Sequence, residues 1–391
     1  MKKFYILIIS FCVICAVLIL LPFLKNDAPA PLSPDPTQPP VTQVCPDDVI
    51  AVAVPVTTEE QYDDNGTLLF QYMYQNIYLT MPDQTIADKI IIDFLNRVDK
   101  GRSVAENLAQ QAQIAYDGSA NWAPYMYQTT YSPTRIDKGV LSLLGTNVSV
   151  YGGPHPERTH VAANYDMLTG EMLTLGSVLS HIDKAPELCD LLLEALSDIE
   201  KEKFLYPGYQ DSVKGNLLGN ESSYERFYFA PGGLCFFFSH YEIAPYISGL
   251  ITVEIPYAKL TGIINDAYFP EELETATGDI TPLDFSQEAL SHFSQFSEIV
   301  LNKEGTKILL HPDEKIHNVR IQTGYWNLNG NVYIPEQTVF AAAALCQYDA
   351  IMLQDIIPDA MPTLRITFDS LGKTTSYYIT QDNGAILLLP A

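Results

Sequence analysis

The side chains of this 391-residue chain equipped for acid–base or metal chemistry are seven histidines and 47 carboxylates. His155-Pro-Glu-Arg-Thr-His160 brings two imidazoles near each other in sequence, but a zinc-protease helix needs His-Glu-x-x-His, with both ligands on one face. A metal there would need a third ligand, for which Asp166 and His240 are the available choices. His155 reads more simply as a turn residue and His160 as an exposed strand end. The other histidines (His181, His292, His311, His317) are scattered, and no metal or other cofactor is expected. Two carboxylates at the right separation can hydrolyse a glycosidic bond. Glu171 and Glu242 stand out among the acids only because they lie in distinctive segments. The chain contains no G-x-S-x-G elbow, no P-loop and no dinucleotide-binding glycine fingerprint. The expectation is therefore a protein that binds and is not an enzyme.

Two segments carry that expectation, Tyr151-Gly-Gly-Pro-His-Pro156 and His240-Tyr-Glu-Ile-Ala-Pro-Tyr246-Ile-Ser-Gly249. Each places aromatics, proline and glycine where one strand ends and another begins. Tyrosine supplies stiff, amphipathic contact area and is enriched among the residues that dominate interfaces. The candidate partner-binding residues are Tyr151, His155, Pro156, Tyr241, Glu242, Pro245 and Tyr246. The alternative is architectural: half-buried tyrosines, an edge strand or bulge at Pro245 and a tight turn at Gly152-Gly153.

The elements that must position these segments read as α+β. Val49–Val56 and Thr67–Leu79 are β-rich, with a turn at Asp63–Gly66 between them. Helical spacing follows from Gln84, with Ile86, Ile90, Phe94 and Leu95 towards one side; a second helix is expected from Ser103, as its cap, to Ala115. Strands are expected over 125–131 and 140–150, completing a first module over 49–150. A second module, 151–269, begins without a linker. Its strands are expected at 161–166, 227–229, 234–239 and 250–255. Asp183 is expected to cap a helix with Pro186 in its first turn, and 257–265 to form a short closing helix. Residues 270–284 turn acidic and rich in Pro and Thr. After a short helix at 285–296, the remainder of a 285–391 domain shows regular β runs and turn signals, as in a small antiparallel sandwich or barrel.

Phe4–Leu24 is almost wholly apolar, preceded by Lys2-Lys3 and followed by Lys25, and is long enough to cross a bilayer core. Residues 1–25 are expected to be an uncleaved anchor with the lysine side cytoplasmic. Only three residues precede the apolar run, so no folded part is expected inside the cell. Residues 26–48 read as a Pro-rich linker. The net charge is −25, which disfavours nucleic acid and favours cationic partners. Cys189, Cys235 and Cys346 sit in apolar contexts that read as core, although a Cys189–Cys235 bridge remains open. A monomer is expected.

The segments 151–156, Asn164–Glu171 and 236–249, with Ile255-Pro-Tyr257, resemble the extracytoplasmic domains of lysozyme-sensing anti-sigma factors of the RsiV type. The accessory region of PdaC-type peptidoglycan deacetylases is similar. The resemblance covers roughly residues 49–269, with a PdaC-type module followed by an RsiV C-terminal-like module. It implies an extracytoplasmic location in a Gram-positive type of bacterium and a lysozyme-like cationic protein as partner. Cell-wall glycan is the alternative ligand, and an uncharacterised hydrolase the third reading. Two features depart from the resemblance. With three residues before the expected anchor, no sigma-binding segment and no anti-sigma activity are expected, and residues 285–391 lack the paired Asp and His-x-x-x-His pattern of deacetylases.

Overall fold

Residues Val49-Ile-Ala-Val-Ala-Val54 decide how the molecule is assembled. In the computed structural model, which describes residues 49–391 except 120, 153–154, 220–223, 272, 328–331, 358–362 and 383–384, this run forms strand β1 (Ala51–Ala53) and its flanks. Side chains alternate across a strand, and here both faces are buried. Val49, Ala51 and Ala53 enter one core, while Ile50, Val52 and Val54 enter another. The expected anchor (1–25), linker (26–48), Gly153 and Pro154 lie outside the described residues. No helix among the described residues is long and apolar enough to cross a membrane.

The chain is α+β, with mainly antiparallel sheets. Strands β2 (Val56–Tyr62) and β3 (Leu68–Gln75) form a hairpin, and β4 (Tyr78–Thr80) pairs with β1. The expected single run 67–79 is thus two strands in different sheets. Helix α1 (Gln84–Ala115) follows, opened by Asp83, whose carboxylate accepts from Thr85 N at 2.9 Å and Ile86 N at 3.2 Å. It corrects the expectation of two helices: the chain runs unbroken through Gly101-Arg102-Ser103, and Ser103 Oγ donates back to Lys100 O instead of capping a new helix. The change of pattern there has a tertiary cause. Ala87, Ile90, Phe94 and Val98 pack in the core shared with β1, whereas Ala105, Leu108, Ala109 and Ala112 pack against Phe70, Tyr72 and Tyr127. Gly101 sits at the changeover, where a Cβ would lie 3.2 Å from the Tyr127 ring.

Strands β5 (Tyr125–Ile136), β6 (Val140–Val150) and β7 (Glu157–Asp166) complete a 5-stranded sheet of order β2-β3-β5-β6-β7, in which β3 and β5 are parallel. The expected module boundary at 150/151 falls at the turn of the β6–β7 hairpin. Beyond it come α2 (Leu175–Val178), α3 (Ala185–Ile199) and α4 (Tyr209–Leu218). Lys184, not Asp183, is the N-cap of α3; Asp183 belongs to a preceding 3-10 turn. Helix α4 has little apolar stripe to announce it. Leu188, Leu192 and Leu196 of α3 pack with β8 (Phe227–Phe229), β9 (Gly233–Phe238) and β10 (Ile251–Pro256), which form a 3-stranded sheet. The closing helix is shorter than expected, α5 (Tyr257–Leu260).

The C-terminal part contains β11 (Ile280–Asp284), α6 (Gln287–Leu290), β12 (Gln295–Val300), β13 (Thr306–Pro312), β14 (Ile316–Asn327), β15 (Val332–Leu345), β16 (Asp349–Asp355), β17 (Leu364–Ser370), β18 (Lys373–Asp382) and β19 (Ala385–Pro390). The stretch expected as one helix at 285–296 is thus a single turn running into β12. A 4-stranded sheet, β11-β13-β16-β12, faces a 7-stranded sheet, β19-β18-β17-β14-β15-β1-β4. Ile299, Ile308 and Leu353 from one meet Ile321, Phe340 and Phe368 from the other, so the sandwich is real but borrows β1 and β4 from the N-terminal region. Cys189, Cys235 and Cys346 are buried free thiols.

Candidate functional site

The two aromatic segments meet. The first is the turn of the β6–β7 hairpin, where Gly152 takes φ +85°. The second leaves β9 through a turn in which Ser239 N donates to the Glu242 carboxylate at 2.9 Å and Glu242 N to Ser239 O at 3.1 Å. A 3-10 turn over Tyr246–Ser248 then starts at Pro245 and ends at Gly249.

Their rings form a continuous cluster. His155 stacks on Tyr246 with centroids 5.4 Å apart, Tyr246 lies 4.6 Å from His240, and His240 lies 6.1 Å from His160. Tyr241 adds a further ring 5.7 Å from Tyr246. Tyr241 is 65% exposed and holds φ +65°, a left-handed conformation rarely adopted by a bulky residue. Ile247 beside the cluster is 85% exposed. The arrangement presents an aromatic rim with an exposed apolar tip.

The remaining candidates are placed differently. Tyr151 is exposed, and the nearby Glu157 carboxylate raises its pKa; no ring contact joins it to the cluster among the described residues. Pro156 and Pro245 shape the two turns. Glu242 is largely occupied, since it accepts from Ser239 and pairs with Arg226. Glu171 pairs with Lys89 of α1, whose ammonium also reaches Thr169 O at 3.0 Å.

His160 and His240 belong to this cluster, although neither was singled out for binding in the sequence. His240 opens the second aromatic segment, and the sequence offered both histidines only as possible metal ligands. His160 is half-buried, correcting its reading as an exposed strand end. Its Nδ1 lies 3.2 Å from Thr146 Oγ1, and its backbone N–H donates to Ser239 Oγ at 3.3 Å. Burial, reinforced by His240 and Arg158, lowers its pKa to about 4, so it is neutral near pH 7. Among the described residues, His240 Nδ1 is buried without a hydrogen-bond partner, and no three His, Cys, Asp or Glu side chains gather to hold a metal ion.

Behind the rim, His160 also lines an open cleft of about 670 Å³ between α1, the 5-stranded sheet and the start of β8. Arg97, Lys100 and Arg226 supply its positive charge, and Tyr127, Thr129 and Asn147 its polar floor. Thr129 is 3% exposed and its hydroxyl has no partner among the described residues.

The Asn164–Glu171 segment has an architectural explanation. Asn164 accepts from Ser142 Oγ at 2.7 Å and donates to Phe227 O at 2.8 Å, joining the 5-stranded sheet to β8. Tyr165 donates to Asp93 of α1 at 2.9 Å. Asp166 accepts from Leu168 N and Thr169 N, closing a turn completed by Gly170 at φ +69°.

Residues 182–258 match one family model. Its description is a protein of unknown function (DUF3298). The matched stretch runs from the turn before α3 into α5, and so holds the second aromatic segment but not the first. A crystal structure of a DUF3298 family member from Bacteroides fragilis is similar at 17% identity and a TM-score of 0.41, covering 56% of this chain and 95% of its own. A DUF3298 family protein from Pseudomonas aeruginosa is similar at 18% identity and a TM-score of 0.37, covering 56% and 97%. No curated protein matches the chain.

Proposed function

We propose that the protein is a non-enzymatic, membrane-anchored binding protein of the bacterial cell exterior, which uses the His155–Tyr246 cluster to hold a cationic protein of the lysozyme type. The observation that carries this reading is the convergence of two aromatic segments, remote in sequence, into one rim with Tyr241 and Ile247 exposed. Tyrosine at such a rim offers contact area at low conformational cost. The net charge of −25 favours a basic partner, steering it from beyond contact range. The resemblance to RsiV-type ectodomains supplies the class of partner, and the apolar run at Phe4–Leu24 the anchor.

The test is biolayer interferometry of the full chain in detergent micelles against lysozyme, at low and moderate salt. Binding that weakens with salt and is lost in Tyr246→Ala is expected. Absence of binding at low salt removes lysozyme as the partner.

The cleft behind the rim favours a second reading, a cell-wall glycan. Its tyrosine and amide lining with an unpartnered Thr129 hydroxyl suits a sugar. Retention of the chain on purified peptidoglycan at high salt, where a charge-steered protein contact fades, would select this reading.

A further inference from the structure

A second cleft, of about 530 Å³, opens where the β5–β6 turn meets the outer face of β14 and β15. Its floor is Ala341–Ala344, whose small side chains leave the space free, and its walls carry Arg135, Lys315, His317 and Arg320. In a chain with 22 basic residues and 47 acidic ones, the cations Arg135, Lys315 and Arg320 share this cleft with a His317 whose pKa burial lowers.

Arg320 is half-buried on β14, and that burial pulls its pKa below the ordinary arginine value. Its side chain makes one hydrogen bond among the described residues, from Nη2 to Thr134 O at 2.6 Å. No described carboxylate lies within ion-pair distance of it. Asp369 attracts it from farther away, but both oxygens of Asp369 are already bonded, to Asn318 Nδ2 at 2.7 Å and Thr374 Oγ1 at 2.6 Å. A half-buried guanidinium with no paired anion is partly desolvated without the compensation that an ion pair supplies.

Arg135 faces the same cleft with the opposite problem solved almost completely. It is 4% exposed, and its Cζ lies 5.6 Å from the Phe229 ring centroid and 5.5 Å from that of Tyr257. Nε donates to Asp137 at 2.5 Å, and Nη1 to Tyr257 Oη at 2.6 Å and Tyr268 O at 2.7 Å. Nη2 alone is buried without a partner. His317, 5% exposed, likewise shows no well-formed hydrogen bond at either ring nitrogen, although the carbonyls of Glu274 and Ala343 approach it. Asp137 pairs with Arg135, but among the described residues no acid of the lining pairs with Arg320. Asp137 is held by Arg135 and by Gly139 N and Val140 N, Glu271 lies 3.8 Å from Lys138, and Glu274 is beyond ion-pair distance of both guanidiniums.

We propose that this cleft binds a small oxyanion, a carboxylate or phosphate group seated on Arg320, with Arg135 Nη2 and Lys315 completing its shell. A planar guanidinium suits the paired oxygens of either group, and the volume accommodates a small organic molecule bearing one. The site stands apart from the aromatic rim and does not depend on what the rim binds.

The experiment is isothermal titration of the full chain in detergent micelles with inorganic phosphate and, separately, with succinate. The thermal midpoint of the ligand-free protein is measured alongside for Arg320→Met and Lys315→Gln. Saturable binding of at least one probe is expected, weakened at least tenfold in Arg320→Met and several-fold in Lys315→Gln. The probe that binds tells a phosphate source from a carboxylate one. The ligand-free midpoint of Arg320→Met should be unchanged or raised, because the substitution removes a half-buried charge that has no ion-pair partner among the described residues. A merely structural arginine would lower it. No saturable binding of either probe overturns the proposal, as does wild-type affinity in a folded Arg320→Met. If Arg320→Met does not fold, wild-type affinity in Lys315→Gln does the same.

Discussion

The imidazole of His155 lies against the ring of Tyr246 at 5.4 Å and an interplanar angle of 29°, although one residue sits in the β6–β7 hairpin turn and the other in the turn leaving β9. Neither sheet holds both. The contact exists because β8 docks on β6 and β7 through the Ser142–Asn164 network, which fixes the two turns side by side.

Tyr246 makes ring contacts with His155, His240 and Tyr241 at once, so it is the residue through which the cluster holds together. Tyr246→Ala should weaken partner binding at least tenfold, about 1.4 kcal/mol. Tyr246→Phe should retain most of the affinity. Interferometry with both variants measures this, and equal affinities for all three proteins would remove the rim from the interface.

His160 couples the same region to pH. Its pKa falls from 6.5 in the unfolded chain to about 4 in the fold, so between those values the unfolded state binds the extra proton. Its contribution is complete above pH 6.5 and is lost as pH falls towards 4. The loss of stability between pH 7 and 5 should therefore be smaller in His160→Gln than in the parent chain. Urea unfolding at the two pH values gives the comparison, and identical losses would refute it.

Gly145 lies opposite Tyr131 on one side and Val161 on the other. A Cβ there would come within 2.6 Å of the Tyr131 ring and 2.8 Å of Val161 Cγ2. Tyr131 is 4% exposed and cannot swing away. Gly145→Ala should destabilise the fold by about 1–3 kcal/mol, read as a lower urea midpoint at unchanged slope.

Asn164 and Ser142 together satisfy Phe227 O and Phe229 N across the layer junction. Asn164→Ala strands buried partners and should cost about 2–3 kcal/mol. Because the junction sets the two turns side by side, the same variant should also weaken binding at the rim more than Gly145→Ala does. Chemical unfolding and interferometry on the two variants test both parts.

Much of this was legible in residue order alone. Leu188, Leu192 and Leu196 announce a helix and its buried face, Asn302–Gly305 marks a turn, and the alternating runs after Ile299 announce a β-rich end. The α+β class and the two aromatic segments follow from composition and periodicity, which are local properties that each segment carries by itself. Pairing between distant segments is not local. The sequence does not show that Val49–Val54 closes two cores at once, because an apolar run looks the same whether one face or both are buried. It also hides the continuity of α1 through Gly101. Glycine disfavours a helix locally, and only the nearness of the Tyr127 ring explains its presence. The His155–Tyr246–His240–His160 cluster, and the absence of an ion-pair partner for Arg320 among the described residues, were decided by tertiary structure for the same reason. A side chain's partners are set by which elements pack together, and packing energy is shared across segments that the linear order keeps apart.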